Sequence, residues 1–203
     1  MNEQLVLGLS LKEALEKEDF FISSSNLDAV TLLDNTDRWA SGVLLLVGPK
    51  GSGKTHLSTV WSKENKAKHV KLEAVLREME NGLDHEFVCV EDIDVIEKAE
   101  RQKKLKIEEG IFHLINSIRS KGGNLLISSR IMPNALSIGI KDLESRLQSF
   151  SNTTIKEPDD TLVMALLLKY FNDRQIFVKH SNLDYIAARI NSCLLYTSPS
   201  PRD

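Results

Sequence analysis

Gly48-Pro49-Lys50-Gly51-Ser52-Gly53-Lys54-Thr55 matches the phosphate-binding pattern GxxxxGK[ST] at every fixed position. Its flanks suit it. Gly42 precedes the apolar run Val43-Leu44-Leu45-Leu46-Val47, long enough for one buried strand, and beyond Thr55 the residues Leu57, Val60 and Trp61 recur on one helical face. Strand, glycine turn and helix therefore follow in order. Glycines let backbone N–H groups close around phosphate oxygens, and the helix N-terminus adds partial positive charge. The expectation is a nucleoside di- or triphosphate site built from Gly48, Pro49, Lys50, Gly51, Ser52, Gly53, Lys54, Thr55 and His56. Lys54 would reach the β- and γ-phosphates, and Thr55 would ligate Mg²⁺. A chance glycine turn is the bland alternative, and the flanks count against it.

Outward from this stretch, strand-like runs alternate with helical periodicity. Further strands are expected at His69 to Leu72, Phe87 to Glu91 and Asn124 to Ser129, with a helix between the last two carrying Ile107, Ile111, Leu114, Ile115 and Ile118 on one face and ending at Gly122-Gly123. Such alternation predicts an α/β fold with a parallel sheet sandwiched by helices. Ser10-Leu11-Lys12-Glu13 reads as a capping box, and Asn26 as the cap of a helix carrying Val30, Leu33 and Trp39. The polar segment from Glu97 to Lys106 reads as a solvated loop or helix start. Pro158 marks a boundary, after which Thr161 to Phe171 and Leu183 to Ile190 form two helices of a partial α-helical lid, with Asp159 or Asp160 capping the first. The divisions expected are an N-terminal arm (1–10), a nucleotide-binding domain (11–157), the partial lid (158–192) and a tail (193–203). The tail, with Cys193, Tyr196, Pro199 and Pro201, reads as a translated adaptor sequence or a disordered end.

Composition bounds the function. With 203 residues, 41% of them hydrophobic, the chain can bury a real core. A net charge of −3 and a pI near 6.0 supply no global basic field, so charge alone gives no support to tight nonspecific nucleic-acid binding. Two cysteines, Cys89 and Cys193, make no disulfide framework, and no apolar run is long enough to span a bilayer. A cytoplasmic location without a membrane partner is the expectation.

Two further elements carry chemistry. Phe87-Val88-Cys89-Val90-Glu91-Asp92 is an apolar run ending in two acids, the pattern of a Walker B strand beside the P-loop strand. Glu91 would hold Mg²⁺ and Asp92 would polarise the attacking water. The order of the acids is inverted relative to the common Asp-then-Glu, which predicts weak intrinsic hydrolysis; a strand simply running into a polar turn is the alternative. Asn124-Leu125-Leu126-Ile127-Ser128-Ser129-Arg130 places small hydroxyls at a strand end, where Ser128 stands at a position resembling sensor 1, against the reading of a plain serine turn. Lys141 to Leu147 is a short amphipathic helix in which Arg146, read alone, is a surface salt-bridge residue.

Together with Gly48 to Leu57 and Glu91-Asp92-Ile93, the box Asp142-Leu143-Glu144-Ser145-Arg146-Leu147 resembles the AAA+ ATPases of the bacterial replication initiator DnaA, and among them the Hda/HdaA regulators. The resemblance runs from about Gln4 to Ile190. It implies that Arg146 is an arginine finger reaching a neighbour's γ-phosphate, and that Asp19-Phe20-Phe21-Ile22 surrounds the adenine, with Phe21 and Ile22 in contact. Gln4-Leu5-Val6-Leu7-Gly8-Leu9 resembles the sliding-clamp-binding motif of that group: an extended strand would offer Leu5, Leu7 and Leu9 to an apolar groove while the Gln4 amide bonds at its rim. An arm packing on its own domain is the alternative. Relative to the family pattern, a third lid helix with a sensor 2 arginine and a helix-turn-helix module are lacking.

The leading expectation is thus an adenine-nucleotide-bound (ATP or ADP, with Mg²⁺) regulator of replication initiation, held on the clamp and stimulating hydrolysis of initiator-bound ATP. Its partners would be the DnaA initiator, the sliding clamp, DNA indirectly through that clamp, and copies of itself in a homo-oligomer. The alternatives are a DNA-acting AAA+ ATPase, such as an initiator relative or helicase loader, and a small P-loop kinase or stand-alone NTPase.

Overall fold

The computed structural model describes residues 20–197. The arm carrying Gln4, Leu5, Leu7 and Leu9, the capping box from Ser10 to Glu13, and Asp19 lie outside the described residues. Five strands, β1 (Val43–Val47), β2 (Lys68–Val70), β3 (Phe87–Val90), β4 (Asn124–Ser129) and β5 (Ser151–Thr154), form one parallel sheet in the order β2-β3-β4-β1-β5. The expected α/β architecture is borne out.

Every residue of β1 is buried because helices cover both faces of the sheet. The two-residue period of a strand then splits its side chains. Val43, Leu45 and Val47 join one apolar cluster with Leu125 and Ile127, under Ile107, Ile111, Leu114, Ile115 and Ile118 of α4 (Arg101–Lys121). Leu143 and Leu147 of α5 (Lys141–Ser149) complete that layer. Leu44, Leu46, Cys89 and Leu126 face the other way, onto Ala29 and Leu33 of α1 (Leu27–Leu33), Leu57 and Trp61 of α2 (Lys54–Glu64), and Trp39. Each large apolar side chain so buried contributes about 1.5–3 kcal/mol, an upper figure when the unfolded chain is itself partly compact.

The remaining helices are α3 (Val75–Glu80), α6 (Asp160–Asn172) and α7 (His180–Thr197). Asp159 caps α6: its Oδ1 accepts from the Leu162 N–H at 2.8 Å, and its Oδ2 accepts from the Ser24 hydroxyl at 2.8 Å, tying the segment before α1 to the start of α6. Among the described residues no helix is long and apolar enough to cross a membrane.

Several local expectations are corrected. Trp39 is not on the Asn26 helix, which ends at Leu33; it follows a separate turn and stacks on Trp61, with ring centroids 5.3 Å apart. Asn26 does not cap with its side chain but bridges Ser23 N–H and the Phe21 carbonyl. β2 sits earlier than His69 to Leu72, and β3 stops before Glu91. α7 runs to Thr197, through the first five residues assigned to the tail. α3 and β5 had no expectation at all. In β5 only Thr153 is buried, so no apolar alternation announces it; it forms because the edge of β1 offers a hydrogen-bonding partner, with Leu44 opposite Ser151 and Val47 opposite Thr154.

Candidate functional site

The P-loop leaves the C-terminal end of β1 and turns into the first turn of α2. Gly51 and Gly53 adopt φ of +82° and +96°, the left-handed region that glycine enters without a Cβ penalty. The loop is tied to the neighbouring strand, because the Gly48 N–H donates to the Ser129 carbonyl at 3.1 Å. Lys54 is buried and its ammonium donates to the Gly48 and Pro49 carbonyls at 2.7 and 2.8 Å. Burial holds its pKa below the ordinary lysine value, against the opposing pull of Asp92 and Asp94.

A cleft of about 330 Å³ opens here, lined by Lys50, Gly51, Gly53, Lys54, Thr55, His56, Asp92 and Arg130. The two acids divide differently from the expectation. Asp92 faces the cleft, in a left-handed backbone conformation with φ of +53°. Glu91 is absent from the lining, and its Oε1 is buried without a hydrogen-bond partner. Burial pushes the Glu91 carboxyl above its ordinary range, partly offset by the charge of His69. One oxygen of Glu91 is therefore buried, while the shorter acid lines the cleft.

Ser128 is turned inward. Its side chain is buried, and its hydroxyl oxygen accepts the Asp92 N–H at 3.0 Å, fixing the backbone that carries the acid. Ser129 bonds within its own turn, donating to the Ile131 carbonyl and accepting the Ile131 N–H. The residue of this strand end that reaches the cleft is Arg130, to which sequence reasoning assigned no role. The available signal was a cation immediately after a buried strand. Asp94, its partner, was missed too.

Of the segment expected around an adenine, Phe20 meets the loop. Its ring is T-shaped to His56 with centroids 5.2 Å apart, and a methyl group at Gly53 would stand 3.4 Å from Phe20 Cε2. Phe21 and Ile22 are exposed, at 37% and 58%.

Arg146 lies elsewhere. It sits in the second half of α5, five residues before β5 begins beside Leu44, toward the N-terminal end of the strands, whereas the P-loop leaves their C-terminal end. Its guanidinium bonds Asn116 Oδ1 at 2.6 Å, pairs with Asp142 at 2.9 Å and stacks 4.8 Å from the Phe112 ring centroid.

The residues fit a polyphosphate and its metal. The loop supplies amide donors and a buried lysine, and Thr55 and Asp92 present hard oxygen ligands in the same cleft. Among the described residues no cluster of three or more His, Cys, Asp or Glu side chains is placed to hold a metal unaided. Mg²⁺ needs none, since one or two protein oxygens plus phosphates and water complete its shell.

No family model matches the chain. It is 32% identical over 160 residues to an uncharacterised protein of Haemophilus influenzae, covering 72% of this chain and 66% of that protein. It is 27% identical over 201 residues to the chromosomal replication initiator protein DnaA of Corynebacterium aurimucosum, covering 87% of this chain and 36% of the initiator. Among solved structures, AMPPCP-bound DnaA from Aquifex aeolicus superposes with a TM-score of 0.68 at 16% identity, covering 84% of this chain and 58% of that one. Domain III of Thermotoga maritima DnaA gives 0.65 at 21% identity, covering 85% of this chain and 80% of the domain. The chain folds as a DnaA-like AAA+ domain. It spans about a third of the C. aurimucosum initiator's length. In this DnaA-like domain the P-loop, Asp92 and Arg130 stand at one end of the sheet and Arg146 toward the other.

Proposed function

We propose that this DnaA-like domain is an adenine-nucleotide-bound regulator of bacterial replication initiation of the Hda type, which delivers Arg146 to ATP held by a neighbouring initiator. The placement of Arg146 carries the reading. Being toward the end of the sheet remote from its own P-loop, it has no work there, whereas a surface guanidinium can enter a second subunit's site. A positive charge brought to a γ-phosphate offsets the negative charge that develops as the phosphoryl group leaves. The AMPPCP bound by the Aquifex aeolicus relative supports the choice of an adenine nucleotide for the P-loop.

Within the chain's own cleft, Lys54 and the amides of Gly51 to Thr55 bind phosphate, and Thr55 and Asp92 would hold Mg²⁺, which supplies charge neutralisation when bound. The acids stand in inverted order, with one Glu91 oxygen buried and the short Asp92 carboxylate drawn to the metal, so hydrolysis in cis is slow. The arm at Gln4, Leu5, Leu7 and Leu9 docks on the sliding clamp, and this part of the reading rests on the sequence resemblance.

The test is a reconstituted reaction containing the protein, nucleotide, DNA-loaded clamp and ATP-loaded initiator, following hydrolysis of the initiator's ATP. Stimulation that disappears on deletion of residues 1–9 is expected, together with loss of clamp binding in a surface assay. No stimulation by the full chain, or clamp binding unchanged by the deletion, would remove the corresponding half of the proposal.

A further inference from the structure

Glu108 of α4 is a buried acid that the proposed function leaves unused. Its carboxylate is bound by backbone amides: Oε1 and Oε2 accept the Gly139 N–H at 2.9 and 3.0 Å, and Oε2 also accepts the Ile140 N–H at 3.0 Å. A buried carboxylate is tolerated only where such donors replace its water. Ile140 is the N-cap of α5, and its side chain has no oxygen with which to cap. The third helical position, from which a glutamate could reach back to the Ile140 amide, holds Leu143. Glu108 supplies that acceptor from a neighbouring helix, with its charge at the positive end of the α5 dipole. Gly139 permits the approach, since a Cβ there would lie 3.1 Å from Glu108 Oε2. A second acid holds the same segment, Glu97 Oε1 accepting the Ser137 N–H at 2.7 Å.

Glu108, Phe112 and Asn116 recur at every fourth residue and so lie along one stripe of α4. The last two hold Arg146, through the bond to Asn116 Oδ1 at 2.6 Å and the Phe112 ring centroid at 4.8 Å. One stripe of α4 thus fixes both the start of α5 and the arginine near its end. Leu143 and Leu147, fully buried, decide which face of α5 turns to the core. Apolar contact is non-directional, however, and sets the position of a helix along its own axis less sharply than hydrogen bonds to its first amides do. From Ile140 to Arg146 is about 9 Å along the helix, so a displacement at its start reaches the guanidinium undiminished.

From this geometry we infer that Glu108 is a positioning residue for the action of Arg146 in trans: by clamping the Gly139 and Ile140 amides it sets where along α5 the guanidinium is offered to a neighbouring subunit's nucleotide. This rests on the arginine-finger reading of Arg146.

The test is hydrolysis of initiator-bound ATP in the reconstituted reaction, with the full chain titrated to saturation. Glu108→Gln keeps the size and one acceptor but sets an NH₂ group against the remaining amide donor, and Gly139→Ala crowds the same carboxylate from the other side. Each should lower the maximal rate by roughly tenfold or more, since a misplacement of about 1 Å is costly to a reacting geometry, while the half-saturating concentration and calorimetric ADP affinity stay within about twofold. Combined, they should do no worse than the stronger one alone, because both break one contact. An unchanged maximal rate in Glu108→Gln, a change confined to half-saturation, or a parallel loss of ADP affinity, as general destabilisation would give, overturns the role. Arg146→Ala separates the two readings. If it stimulates like the unmodified chain, the finger assignment fails and this inference falls with it; if it is inactive while Glu108→Gln is fully active, the inference alone fails.

Discussion

Arg146 on α5 donates to Asn116 Oδ1 on α4 across 2.6 Å, so the guanidinium is held against its own domain's surface. The Asp142 pair and the Phe112 ring bound the same group. A preset side chain loses less conformational freedom when it enters a second site than a free one would, which suits a residue acting in trans. The surrounding contacts are modest, since a partly exposed helix pair is worth a few tenths of a kcal/mol.

Arg146→Ala should reduce stimulated hydrolysis of initiator-bound ATP by about 10³ to 10⁵, the range over which such fingers act. Nucleotide affinity of the chain itself should not change, because the residue lies remote from the P-loop. A variant that stimulates normally, or that loses its own nucleotide, would end the trans assignment.

Lys54→Ala should abolish binding of ADP and AMPPCP in calorimetry. Lys54 is the buried cation of the loop, and its two carbonyl bonds are exchanged for phosphate oxygens at little cost in geometry. Unaltered affinity would show that the phosphates sit elsewhere.

Glu91 predicts a pH signature. Its carboxyl is raised above 4.5 by burial, so between that pH and the higher native value the folded protein keeps a proton that the unfolded chain has released. Stability contributed by this group therefore falls as pH rises through the window, and Glu91→Gln removes the fall. Thermal midpoints of the two proteins should diverge in favour of the variant from about pH 4.5 upward. Parallel profiles would mean that the carboxyl is not perturbed.

Gly110, inside α4, sets two effects against each other. Alanine there gains about 1 kcal/mol in helix propensity. Its Cβ, however, would lie 2.6 Å from the Leu76 backbone nitrogen, where α3 crosses α4. Overpacking against backbone costs typically 1–3 kcal/mol, so Gly110→Ala should be net destabilising in urea denaturation. A stabilised variant would show that α3 moves away freely.

Legibility along the chain followed the range of the forces involved. β1 and β4 were read with their observed limits because each is a run of residues buried from both sides, and α4 because five branched apolar residues share one face. The Asp159 cap and the P-loop are equally local, each a matter of a few residues and a turn. β5 and Trp39 were not legible, since one borrows its hydrogen bonds from β1 and the other its partner from α2.

By itself the sequence determined the parallel α/β plan, the phosphate loop with its buried lysine, and the candidates Glu91, Asp92, Ser128 and Arg146. Tertiary structure decided what those candidates face. It buried Ser128 and one oxygen of Glu91, gave the cleft to Asp92 and Arg130, and set Arg146 toward the other end of the sheet. The physical reason is that an apolar pattern carries its own consequence, burial, in the residue itself. The role of a charged side chain depends on what stands opposite it, and Arg130 meets Asp94, 36 positions away in sequence, only once both stand at neighbouring strand ends.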